Sequence, residues 1–173
     1  MVMAIRPILT APHPVLRKQA KRIKVIDAYI RNLAADMIET MECAKGVGLA
    51  APQIGASLRL CVLHLPEEHP FALVNPEVVK RIGERSVKES CLSIPGYQGR
   101  IKRAVEVTVK GLDLDGKPIR FKAKELLAQA LEHEIDHLDG VLYIDYITTK
   151  NGLYEVEPEE DDELNDEVEA HVS

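Results

Sequence analysis

Apolar side chains recur at three- and four-residue spacing in two stretches of the chain and alternate with polar ones in several others. After Asp27, a residue suited to capping a helix, Ile30, Leu33, Ala34, Met37, Ile38 and Met41 fall on one face. This predicts a helix ending near Cys43. A second run, residues 124–138, holds strong helix formers and no Pro or Gly until Gly140. At about 100° per residue, Leu126, Ala130, His133 and His137 form one stripe, and Leu127, Leu131, Ile135 and Leu138 form another. Glu125, Gln129, Glu132 and Asp136 share the one clearly polar strip. A helix apolar around most of its circumference is buried on most sides. Both histidines therefore point inward, and Glu134 lies between two inward stripes.

Strand-like runs fall at 58–65, 71–79 and 84–90. Residues 101–111 alternate, with Val105, Val107 and Val109 inward and Glu106, Thr108 and Lys110 outward. Residues 112–117 read as a turn into a strand at 118–123. A short helix is expected at 12–20 and a short strand at 141–145. This order predicts an α+β fold in which antiparallel strands pack around a central, histidine-bearing helix.

Composition adds a boundary. With only two Phe and no Trp, the core must be aliphatic. Ten of the 28 acids lie in residues 155–173, which have no Lys or Arg, so the rest of the chain holds 22 basic and 18 acidic side chains. One domain over 1–150 and a solvated acidic tail over 151–173 are expected. A packed C-terminal helix through Leu153, Val156, Leu164 and Val168 is the rival reading. No apolar run reaches membrane-spanning length, and neither a targeting segment nor paired cysteines are evident. A bacterial cytoplasmic protein without membrane or DNA partners is expected.

The chemistry concentrates at His133-Glu134-Ile135-Asp136-His137. Residues four apart stand one above the other on a helix, so two imidazoles can hold one metal ion with Glu134 beside it. Buried histidines paired within the core are the alternative. In that alternative Glu134 is a paired buried carboxylate; left unpaired it would be costly, and a metal with its water would account for it. A third ligand is needed. The downstream position favoured by extended zincin patterns holds Tyr143, and a later carboxylate falls near Glu157 in the acidic tail. Of the three cysteines, Cys43 and Cys61 read as small core residues. Cys91 lies in a turn-rich segment where a thiolate could complete a Cys-His-His set.

A third segment, Gly46-Val47-Gly48-Leu49-Ala50-Ala51-Pro52-Gln53, lacks the Gly-Lys-Ser/Thr of a phosphate loop. Gly46 and Gly48 would admit a ligand backbone. Gln53 could offer its amide to a developing oxyanion.

These segments, in this order, resemble the three signatures of the peptide deformylase family: Gly-x-Gly-Leu-Ala-Ala-Pro-Gln, Glu-Gly-Cys-Leu-Ser and His-Glu-x-x-His. The first and third match throughout. In the second, Ser90 stands where Gly is usual, which matters only for a role needing positive φ. The opening Ile8-Leu9-Thr10-Ala11-Pro12-His13-Pro14-Val15-Leu16-Arg17 is also similar, and the resemblance spans roughly residues 5–150.

The resemblance implies a deformylase-like fold and removal of the N-formyl group from the initiator methionine of new proteins, with formate released. Cys91, His133 and His137 would hold one divalent ion, Fe(II) in the cell and Zn, Ni or Co in a purified sample, with water as nucleophile in the fourth position. Glu134 would be general base and acid. The Gln53 side-chain amide and the Leu92 backbone N–H would stabilise the oxyanion. For the methionine side chain, the stripe through His133 suggests Leu126 and Ala130, with Val47 and Val87 as opposite walls; ordinary core is the alternative for each. Gly48 and Ser90 would face the substrate backbone. Glu89 and Arg103 read either as an ion pair orienting the Cys91 loop or, for Arg103, as a plain surface charge. The expected partners are formyl-methionyl nascent peptides, with transient ribosome contact and a monomeric enzyme. A zincin-like endopeptidase and a non-enzymatic metal- or peptide-binding homologue are the alternatives.

Overall fold

Aliphatic periodicity becomes two helices and eight strands among the described residues, 4–156, of the computed structural model. Helix α1 spans Ala28–Cys43 and α2 Glu125–Leu138. The strands are β1 (Gly48–Ala50), β2 (Leu60–Leu63), β3 (Phe71–Ile82), β4 (Arg85–Cys91), β5 (Ile94–Arg103), β6 (Glu106–Leu112), β7 (Pro118–Lys124) and β8 (Leu153–Glu155). Short 3-10 turns lie at Pro14–Arg17, Ala51–Ile54 and Tyr143–Tyr146. A five-stranded sheet runs β1-β2-β3-β6-β7 and a three-stranded sheet β4-β5-β8, with every pairing antiparallel.

The Asp27 carboxylate accepts the Ile30 N–H at 3.0 Å and starts α1 as expected. The helix then buries Ile30, Leu33, Met37 and Met41 against Leu49, Leu60, Val62 and Val74. Each such side chain contributes about 1.5–3 kcal/mol by leaving water. Helix α2 lays Ala128, Leu131, Ile135 and Leu138 on Cys61, Leu63, Leu73, Val107 and Val109. This contact presents its other side to β4. Arg59 closes the C-terminus of α2 by donating to Leu138 O (3.3 Å) and Asp139 Oδ1 (2.7 Å), a cation at the negative end of the helix. At Gly140, φ is +75° and a β-carbon would lie 2.7 Å from Arg17 O, so the chain leaves α2 only through glycine.

Several expectations are corrected. Residues 101–111 are not one strand, because the Ala104 N–H donates to Glu132 of α2 (2.9 Å) and the Glu125 N–H to Val105 O, which ends β5 and restarts the chain as β6. The 12–20 helix shrinks to Pro14–Arg17, since Ala20 and Lys21 give their N–H groups to Leu138 O and Ser57 O. The strand expected at 141–145 is a 3-10 turn instead. There the Asp145 carboxylate accepts the Leu142 N–H (3.0 Å) and ion-pairs with Arg17 (2.7 Å), a local bond that competes with strand pairing. Cys43 is exposed rather than core. Thr108 is buried, not outward, on β6, which lies between β3 and β7. Beyond position 150, β8 pairs with Tyr97, Gln98 and Gly99 of β5. Most of the acidic segment, from 157, lies outside the described residues.

Candidate metal centre and its cleft

Two elements build the centre. One turn of α2 separates His133 from His137, and Cys91 is the last residue of β4, at a tight reversal that pairs it with Ile94. The Cys91 Sγ lies 3.2 Å from His137 Nε2, and the donor atoms of Cys91, His133 and His137 all lie within 4.8 Å of one another. Tyr143, at the position where an extended zincin carries His, is not in this set. It is buried, with its ring stacked on His133 at 6.2 Å between centroids. Glu157 falls outside the described residues.

The donor set fits a divalent first-row ion, with one thiolate and two imidazoles converging. The Ser93 N–H (3.4 Å) and Gln53 Nε2 (3.7 Å) both donate to Cys91 Sγ and hold it in place. His133 Nδ1 is held by Glu89 Oε1 at 2.5 Å, which leaves Nε2 as the ligating nitrogen. Glu134 Oε2 is buried without any hydrogen-bond partner.

Behind His133 stands a buried ionic cluster. Arg103 donates through Nε (3.0 Å) and Nη2 (2.5 Å) to the Glu89 carboxylate, and through Nη1 to Asp136 Oδ2 (2.7 Å). Burial raises the Glu89 carboxyl, but the bonds from His133 and Arg103 outweigh it and hold that group at about 2. Burial alone dominates at Glu134, whose carboxyl is pushed up to about 7. It also drives the His137 imidazole down, helped by the charge on His133. At His133 burial again opposes the charge, yet the hydrogen bonds to Cys91 and Glu89 carry the imidazole upward.

A cleft of about 550 Å³ opens onto this centre. Val47, Gly48, Gln53, Glu89, Ser90, Cys91, Leu92, Leu126, Ala130, His133 and Glu134 all line it. Val47 and Leu126 are 39% and 42% exposed, so neither is ordinary core. Val87 is not among the lining residues; it packs with Cys91, Ile101 and Tyr143 behind the β4 turn. Arg103 is 5% exposed, so it is no surface charge. Ser90 is not one of the positive-φ residues and sits in an irregular step of β4, so serine costs no backbone strain there.

Gln53 is fixed from both ends. The Ala50 N–H donates to its Oε1 (2.9 Å), and its Nε2 donates to Ser93 Oγ (3.1 Å). Ser93, Gln129, Asp136 and Tyr146 complete the surroundings and escaped the sequence reading. Ser93 is two residues from Cys91 and could have been flagged by that proximity. The other three carry no local signal, because their roles depend on partners far along the chain.

An inward-facing helical His-Glu-x-x-His, a thiolate from a β-turn and a buried unpartnered glutamate define a metal-dependent hydrolase. The polypeptide deformylase family model matches residues 5–152, and the chain belongs to that family. It is 53% identical over 167 residues to a peptide deformylase of Dehalococcoides mccartyi strain CBDB1, covering 96% of this chain and 99% of the relative. It is 44% identical over 168 residues to one from Thermomicrobium roseum, covering 92% and 96%. The crystal structure of a peptide deformylase from Legionella pneumophila is similar with a TM-score of 0.81 and 47% identity, over 84% of this chain and 87% of that one. No described helix is long and apolar enough to cross a membrane.

Proposed function

We propose that the protein is a metal-dependent hydrolase that removes the N-formyl group from the initiator methionine of newly made proteins and releases formate. The observation that carries this is the buried, partnerless Glu134 carboxylate oxygen in the same cleft as the three-ligand set. Cys91, His133 and His137 would hold one divalent ion, Fe(II) in the cell and Zn, Ni or Co after purification. When bound, it supplies Lewis acidity toward a carbonyl and toward water.

The remaining steps belong to the chain's own side chains. Glu134 accepts a proton from the attacking water and hands it to the departing amine; a carboxyl near neutrality suits both transfers. Gln53 Nε2 and the Leu92 N–H stabilise the oxyanion, and the Ala50 bond keeps the Gln53 amide from flipping. Val47, Leu126 and Ala130 receive the methionine side chain, while Gly48 and Ser90 face the peptide backbone. Glu89 and Arg103 orient His133. The catalytic unit would run through β8 and act as a cytoplasmic monomer in transient contact with the ribosome.

A coupled assay for formate released from a short formyl-methionyl peptide tests the reading. Formate formed in step with a free amino terminus is expected. Internal peptide cleavage without formate would instead indicate an endopeptidase. One bound ion with neither activity would indicate a binding homologue.

A further inference from the structure

Asp136 lies between the two histidines in sequence, yet no step above uses it. Its Oδ2 accepts two bonds, from Arg103 Nη1 (2.7 Å) and from the Tyr146 hydroxyl (2.9 Å). The Tyr146 ring also lies under the guanidinium of Arg103, 5.0 Å from ring centroid to Cζ. We propose that Tyr146 is a positioning residue for the metal centre, acting through Asp136 and Arg103 on Glu89 and so on the ring of His133. This rests on the metal-centre reading given above.

The contacts run from Tyr146 through Asp136 and Arg103 to Glu89 and His133, with the Tyr146 ring also on Arg103 and Gln129 Nε2 donating to Glu89 at 3.4 Å. Arg103 and Glu89 are each 4% exposed at the side chain and Asp136 14%, so their orientation is set by one another rather than by water. A planar guanidinium offers its donors as a rigid fork. Two arms grip Glu89, and the third must find an acceptor or leave a buried donor unsatisfied. Asp136 is that acceptor. Without a second bond, however, the Asp136 carboxylate could turn about its own side chain and carry Arg103 with it. The Tyr146 hydroxyl supplies the second bond, and the ring closes one face of the guanidinium.

Tyr146 itself is held by the 3-10 turn that follows α2, whose Asp145 is locked to Arg17 at 2.7 Å. The turn is thus braced against the N-terminal segment, and its phenol reaches back to α2. Glu89 then fixes which nitrogen of His133 is free to ligate. A slack Arg103 would let Glu89 shift, and His133 with it, loosening one of three ligands.

The test uses full-length protein loaded with Co(II). Loss of the ion to excess chelator is followed by the visible absorption of the thiolate-ligated metal, and thermal midpoints are measured on ion-free protein. Removing a group that supports a metal ligand typically costs 10–100-fold in affinity. Tyr146 stands three links beyond Glu89, the group that supports the ligand, so Tyr146→Phe, which keeps the ring, is expected to release the ion roughly 3–10-fold faster with an unchanged ion-free midpoint. Tyr146→Leu, which loses ring and hydroxyl, should release it at least as fast. Release from Tyr146→Phe within twofold of the parent overturns the proposal. Faster release matched by a fallen ion-free midpoint also overturns it, because the role is then only structural. A parent chain that binds no Co(II) overturns the metal-centre reading and this proposal with it, an outcome independent of Tyr146.

Discussion

Glu134 fills the space that a side chain at Gly48 would need: a β-carbon built there would lie 2.8 Å from the Glu134 carboxyl carbon. Strand β1 and helix α2 therefore meet only because residue 48 has none, and the carboxylate is steered by a glycine. Gly48→Ala should push Glu134 out of line. A misplacement of about 1 Å can cost on the order of 10²-fold in rate. Turnover should fall by about that factor while one ion per chain is retained. Normal turnover in a folded Gly48→Ala protein would break the link between the two residues.

Glu134→Gln should also keep the ion, because Glu134 is not in the ligand set. Turnover is expected to fall by about 10²–10⁴-fold, the range for a general acid–base group. Metal analysis beside single-turnover formate release would check both halves, and loss of metal would reassign Glu134 as a ligand.

Leu126→Trp should raise KM for formyl-methionyl peptides with a smaller effect on kcat, because Leu126 lines the cleft and is half-exposed. Ala130→Phe is the weaker probe. Ala130 is 5% exposed, and overpacking there costs roughly 1–3 kcal/mol of stability besides narrowing the cleft. An unchanged KM in Leu126→Trp would place the methionine side chain elsewhere.

Glu89 links stability to acid. Its carboxyl is held at about 2 against an ordinary 4.5 by His133 and Arg103, despite burial. A group so depressed contributes stability that is fully present above 4.5 and is lost as pH falls toward 2. His133 is protonated in folded and unfolded chains across that window, so it does not mask the effect. Thermal midpoints of ion-free protein should fall with acid less steeply in Glu89→Gln than in the parent. Equal slopes would show that Glu89 carries none of the linkage.

Truncation after Val156 should leave activity on short peptides and the thermal midpoint unchanged. Truncation after Gly152 removes β8 from its pairing with Tyr97, Gln98 and Gly99 and should lower the midpoint. About 1 kcal/mol corresponds to roughly 2–4 °C in a chain of this size. A large loss of midpoint on truncation after Val156 would favour the packed C-terminal helix.

What the sequence made legible was short-range or periodic. The two helices follow from apolar spacing, and α2 also revealed the pair of histidines because four residues make about one turn. The α+β class with antiparallel strands was readable from the alternation in 105–110 and from the order of elements. The break at Ala104 was not, since it depends on the Glu132 carboxylate arriving from α2. For the same reason the polar strip of α2 misled: buried Glu132 accepts from the Ala104 N–H and from Arg81, and Asp136 accepts from Arg103 and Tyr146. Charge on a helix face signals solvent only when no distant partner claims it. Val87 packs with Cys91, Ile101 and Tyr143, a neighbourhood that no local pattern in the sequence reveals.

The two sheets also bear on how the molecule opens. Cys91 ends a strand of the small sheet, whereas His133 and His137 ride on the helix bedded on the large one. The cleft thus runs along a seam, and an ion held by these three residues is a rivet across it. With the Glu89–His133 and Arg103–Asp136 pairs and the Gln53–Ser93 and Gln129–Lys88 bonds, that rivet should couple amide exchange in β4, β5 and β8 to the large sheet. Taking the ion away should therefore divide one folding unit into two.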